Sequence, residues 1–84
     1  MYYVYILLSI LDKHYYVGYT HDLKKRLIEH KEGKVLSTTR RRPLTLVYYE
    51  ASLDKRDALY REKYLKTAWG KRYIKNRINY YLTG

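Results

Sequence analysis

The segment Tyr2 to Ser9 constrains this chain more than any other. Its alternating positions are apolar on both sides, with Tyr3, Tyr5 and Leu7 on one and Val4, Ile6 and Leu8 on the other. An extended strand of this kind is stable only where both faces are covered. It has no basic leader or small-residue cleavage site. It is also far shorter than the ~20 apolar residues needed to cross a bilayer. The whole chain is 84 residues, enough for one domain over residues 1–84 that buries roughly 60–65% of its unfolded surface. Any site must then lie on the surface of that one core.

The remaining elements follow from local chemistry. Asp12-Lys13 suits a turn, and His14 to Thr20 reads as the return strand of a hairpin. Thr20 is placed to cap a helix with Asp22 in its first turn. Leu23, Leu27 and Ile28 form that helix's apolar stripe, and Gly33 ends it. Lys34 to Pro43 is a basic loop, and Leu44 to Glu50 a third strand with Pro43 at its start. Asp54 opens a second helix that runs to about Thr67, with Ala58, Leu59 and Leu65 inward. Trp69-Gly70 reads as an interruption, and Lys71 to Leu82 as a third helix on the period Ile74, Ile78, Leu82. The expected fold is α/β: a small, mainly antiparallel three-stranded sheet flanked by helices, in the order β-β-α-β-α-α.

Charge points to the partner. Eighteen Lys and Arg against eight Asp and Glu give a net +10. Such an excess favours a polyanion with condensed counterions, so nucleic acid is expected, DNA first with RNA open. A membrane partner would need a strongly amphipathic apolar face, and none is expected. With no cysteine, disulfides and thiolate metal sites are ruled out. His14, His21 and His30 have no metal-ligand spacing. A reducing cytoplasm suits this composition. Thirteen tyrosines and no phenylalanine supply ring area with hydroxyls, mostly for packing and in part for stacking on bases.

Several residues stand out from that background. Arg26 and His30 lie four apart on the first helix and project together, beside Lys24 and Lys25 on what otherwise reads as a solvated basic face. Glu62 falls on the stripe Ala58, Glu62, Leu65, Trp69 at 100° per residue. It is the only acidic residue after Asp57. An inward carboxylate is costly unless paired or metal-bound; it is either half of an ion pair or a ligand for a hard divalent cation. Tyr5 and Tyr16 sit on neighbouring strands, where hydroxyls can meet if the register allows. A tyrosine with a pKa of about 10 is ionised about once in a thousand at pH 7, so a role as base needs arginine or metal charge nearby. Gly18 within a strand marks a close approach or a bulge.

With these residues the chain resembles the GIY-YIG nuclease superfamily, and most closely its small stand-alone, single-domain branch. The two signatures are Tyr3-Val4-Tyr5 and Tyr16-Val17-Gly18. Arg26 follows the second signature tyrosine by ten residues, as the family arginine does. His30 stands where the family has histidine or tyrosine, and Glu62 matches its metal-binding glutamate. Tyr3 replaces the first signature's glycine. Tyr19 occupies the place of a lysine in repair-incision relatives, and Asn76 matches the family's late asparagine only loosely.

The resemblance implies an endonuclease that hydrolyses DNA phosphodiester bonds with Mg²⁺ or Mn²⁺, linked to repair or recombination. Plain duplex, branched, flapped and damaged substrates all remain open. It gives Tyr16 the role of general base, has Tyr5 position the water and has Arg26 neutralise phosphate charge. His30 would assist proton transfer or orient a tyrosine, and Glu62 would hold the metal. Lys24, Lys25, Arg40, Arg41 and Arg42 would hold the nucleic-acid backbone. The alternatives are a non-catalytic nucleic-acid-binding module of the same fold and an interaction module for an acidic protein surface.

Overall fold

A computed structural model describes residues 1–84. It contains strands β1 (Tyr2–Ser9), β2 (Tyr15–Thr20) and β3 (Leu44–Ser52) and helices α1 (Leu23–Lys31), α2 (Lys55–Leu65), α3 (Ala68–Arg77) and α4 (Asn79–Thr83). A 3-10 turn over Thr39–Arg41 precedes β3. The strands form one antiparallel sheet in the order β2-β1-β3. The α/β architecture and the element order expected from sequence are both present, with the short α4 added at the end.

The doubly apolar β1 is the central strand and is covered on both faces. Val4 and Ile6 pack with Ala58 and Leu65 of α2, Ile74 of α3 and Ile78 in one buried cluster. The opposite face carries Tyr5 and Leu7, and α1 covers it, with the loop that buries Val35 and Thr38. Cross-strand partners in an antiparallel pair share a face. Tyr5 lies opposite Gly18 and Leu7 opposite Tyr16, so Tyr5 and Tyr16 are diagonal neighbours on the α1 side. No helix is long and apolar enough to cross a membrane.

Several local expectations are corrected. Asp22, rather than Thr20, caps α1, accepting from the Lys25 N–H at 3.1 Å. Thr20 instead braces Asp22, its hydroxyl accepting from the Asp22 N–H. Ile28 is exposed while His30, expected on the basic face, is only 2% exposed. The helix turns its histidine inward because Tyr5 and Thr38 satisfy both ring nitrogens. Leu59 and Trp69 are exposed too. Trp69-Gly70 does not interrupt a helix: both residues lie in the first turn of α3, capped by Thr67. Glycine is required there by contact, since a Cβ at Gly70 would fall 2.3 Å from the Tyr64 carbonyl oxygen at the end of α2. The last helix breaks at Ile78, which is buried, whereas Leu82 is 41% exposed. The apolar period continues in the sequence beyond the surface available to bury it.

Candidate active site

The tyrosine face of the hairpin and the inner face of α1 meet in a short hydrogen-bonded string. The Tyr5 hydroxyl lies 2.7 Å from His30 Nε2, and His30 Nδ1 lies 2.7 Å from Thr38 Oγ1. Thr38 gives its own proton to the Val35 carbonyl. The tautomer that satisfies all three side chains has Nδ1–H donating to Thr38 and Nε2 accepting from the Tyr5 hydroxyl. The Tyr5 proton thus points at the histidine, and the hydroxyl oxygen faces Arg26. Tyr5, His30 and Thr38 are all buried, and no buried side-chain nitrogen or oxygen lacks a partner.

Tyr16 packs beside this string. Its ring centroid is 6.3 Å from that of Tyr5 and 5.3 Å from that of His30, edge-on to the imidazole. Tyr16 is half-buried, and its hydroxyl makes no hydrogen bond to the protein. Gly18 makes the approach possible. A Cβ there would stand 2.3 Å from Tyr5 Cζ and 2.4 Å from its hydroxyl oxygen, so the Tyr5 ring occupies the space that a side chain would fill.

Arg26 completes the near side. Its guanidinium donates to Glu29 Oε1 at 3.2 Å and faces the Tyr5 hydroxyl. Burial pushes Tyr5 up to about 12, against the pull of Arg26, and the negative ends of Tyr16 and Glu62 add to the rise. Tyr5 thus stays protonated and holds its bond to His30. Burial, and then the Arg26 charge, push His30 down to about 4, with Glu29 opposing. The imidazole is neutral at physiological pH.

Neutral burial of His30 has a pH signature. Its folded pKa of about 4 lies below the unfolded value of 6.5. Between those values the unfolded chain binds more protons, so stability is full above pH 6.5 and falls as pH drops towards 4. Urea melts of the wild type should lose up to about 1.4 kcal/mol per pH unit in that window. His30→Gln should flatten this slope, and an unchanged slope would show that His30 is not the group responsible. Asp12, held at about 2 mainly by Arg41, titrates lower and does not mask the effect.

Glu62 approaches from the other flank. On α2 it lies 100° around the axis from Arg61. Arg61 faces β3, where it donates to Glu50 Oε1 at 2.7 Å, and Glu50 also accepts from the Tyr48 hydroxyl. Glu62 is thus on the β2 side of the Ala58–Leu65 stripe rather than in its middle. Its side chain is 21% exposed and pairs with Lys66 at 3.2 Å across one helical turn. The partner is an exposed lysine, so this is not a buried structural ion pair. The carboxylate is close enough to the Tyr5 hydroxyl to raise its pKa. No three His, Cys, Asp or Glu side chains cluster as a metal cage. One half-buried carboxylate fits a hard divalent cation whose other ligands are water and phosphate oxygens.

The basic residues divide by role. Lys24, Lys25 and Arg40 are exposed, and Lys25 borders the same surface as Arg26. Arg41 is committed to Asp12 at 2.8 Å and the His14 carbonyl at 3.0 Å. Arg42 donates to the carbonyls of Thr39 and Lys31. These two guanidiniums pin the loop, and of the three arginines only Arg40 has its guanidinium uncommitted. Asn76 is exposed on α3 and bonds to none of the site groups. Sequence reasoning missed Thr38, Glu29 and Lys66. Glu29 and Lys66 were visible as helical neighbours of Arg26 and Glu62. Thr38 reaches His30 only through the loop's tertiary path and carries no local signal.

Comparison with known proteins identifies the family. A family model described as the GIY-YIG catalytic domain matches residues 1–79. A UPF0213 protein of Bacillus pumilus is 46% identical over 66 residues, covering 77% of this chain and 66% of that protein. The UPF0213 protein YazA of Bacillus subtilis is 39% identical over 72 residues, covering 81% and 73%. The solution NMR structure of a UPF0213 protein from Bacillus halodurans covers 90% of this chain and 84% of its own at 35% identity, with a TM-score of 0.57. The chain belongs to the GIY-YIG family, in the small stand-alone branch of the UPF0213 proteins.

Proposed function

We propose that the protein is a divalent-metal-dependent endonuclease that hydrolyses DNA phosphodiester bonds at this site. The family is a nuclease superfamily. The observation that carries the reading is the packing of an uncommitted Tyr16 against the Tyr5–His30–Thr38 string, with Arg26 and the charge of Glu62 both acting on the Tyr5 hydroxyl. Each group has a distinct task. Tyr16, as the phenolate left once its own proton has passed to solvent, is placed to take the proton of the attacking water. Tyr5, its own proton fixed on His30, offers an oxygen lone pair that orients that water. His30, neutral and doubly bonded, acts as a positioning residue for Tyr5. Arg26 offsets the charge that grows on the phosphate. Water's oxygen bonds to phosphorus, the opposite ester bond breaks and a proton returns to the leaving oxygen. Glu62 would hold Mg²⁺ or Mn²⁺, which supplies charge stabilisation at the phosphate and the leaving oxygen.

The test is a cleavage panel of linear, flapped and branched DNA with Mg²⁺ titrated from zero. Metal-dependent scission is expected, and a complete lack of it on every substrate, with binding retained, would favour the non-catalytic binding module. Affinity should come from the exposed cations. Replacing Lys24, Lys25 and Arg40 together by Ala should reduce the salt slope of DNA binding by about 2–3, at roughly 0.9 per phosphate contact. An unchanged slope in a salt titration would place the footprint elsewhere.

A further inference from the structure

Between β2 and the junction of α2 and α3 lies a cavity of about 240 Å³ that the chemistry above does not use. Its floor is apolar, made by Ile6, Val17, Leu65 and Ile74, and Tyr15 forms one wall. Two ammonium groups, Lys66 and Lys71, stand at its rim. Tyr16 also borders it, and Lys66 is the ion-pair partner of Glu62. The cavity lies on the α2/α3 face of the sheet, opposite the tyrosine cluster, and meets the site through Lys66, the partner of the carboxylate.

We infer that this cavity receives an unpaired nucleobase adjacent to the phosphate that is cut. The inference rests on the nuclease reading and narrows its substrate class to strands with a locally unpaired nucleotide. An apolar, aromatic-walled slot with cations at its mouth matches a flat ring joined through its sugar to a phosphate. Base–aromatic stacking supplies the attraction, and Lys66 and Lys71 meet the charge. A base in an intact duplex must first be unstacked, at a cost of a few kcal/mol that is least for a nucleotide already unpaired. The cavity therefore selects against plain duplex. Were a divalent cation to occupy Glu62, Lys66 would be free to exchange its carboxylate partner for the nucleotide's anion.

The test uses the full chain in EDTA, so that probes stay intact, with fluorescein-labelled DNA followed by anisotropy. Three duplexes are compared: one fully paired, one with a single-nucleotide bulge and one whose bulged nucleotide is abasic. The bulge bearing a base should bind about tenfold more tightly than the abasic bulge. Tyr15→Leu should erase that difference while leaving abasic affinity unchanged. Since Tyr15 also packs against the core, the exposed Lys71 provides a second variant. Lys71→Glu should weaken the bulged duplex and leave the paired duplex near wild type. Equal affinity for base-bearing and abasic bulges would overturn the pocket and leave the nuclease reading standing. No binding to any of the three would overturn the nuclease reading and the pocket with it.

Discussion

Glu62→Gln should abolish DNA cleavage, by about a thousandfold or more, with DNA affinity and stability near wild type. The loss follows from removing the carboxylate proposed to hold a divalent cation beside the tyrosine cluster, where such a cation would contribute several kcal/mol of charge stabilisation. Stability should change by less than about 1 kcal/mol, because the only ion pair broken is with an exposed lysine. Affinity should hold because Lys24, Lys25 and Arg40, the cations proposed to hold the backbone, are exposed elsewhere on the surface. Mg²⁺-dependent cleavage and thermal melts on the same preparations check all three parts. A variant that melts several kcal/mol below wild type would make Glu62 a structural residue. A variant that still cuts would exclude it from metal binding.

The second large effect is expected at a residue that carries no chemistry. Gly18→Ala places a Cβ 2.3 Å from Tyr5 Cζ. The ring cannot retreat, because it is fully buried and bonded to His30. The Tyr5 hydroxyl must leave His30 Nε2, or β2 must move and take Tyr16 with it. Cleavage should fall about a hundredfold, the cost of a misplacement of about 1 Å in a catalytic group. Stability should fall by about 1–3 kcal/mol through overpacking. Added to Tyr5→Phe, the same change should cost much less activity than in the wild type, since both act on one hydroxyl. Full activity in Gly18→Ala would show that the close contact plays no part in the site.

The salt-slope and pH experiments separate residues that look equivalent in the sequence. Arg40, Arg41 and Arg42 are three identical side chains in a row, yet two of them are consumed by Asp12 and by main-chain carbonyls. Arg41 to Ala should therefore act on the anchoring of the β1–β2 turn rather than on the salt dependence of binding.

The sequence by itself determined the framework. A β1 that is apolar on both faces requires cover on both sides, and the side-chain period of two in a strand keeps Tyr5 and Tyr16 on one face once the hairpin register is set. The spacing of Arg26 and His30 follows from one turn of helix, and the glutamate from its match to a family motif. Only the tertiary structure decided which way α1 turns. Its modest apolar stripe left His30 ambiguous between solvent and core, and the hydroxyls of Tyr5 and Thr38, 25 residues upstream and 8 downstream, settled it inward. The position of Glu62 beside the stripe rather than within it depended on Arg61 being drawn to Glu50 across the sheet. Gly70 carried no local sign that it was a packing residue rather than a helix breaker. Its role is fixed by the backbone of α2, and contacts between segments leave no trace in the local pattern of either.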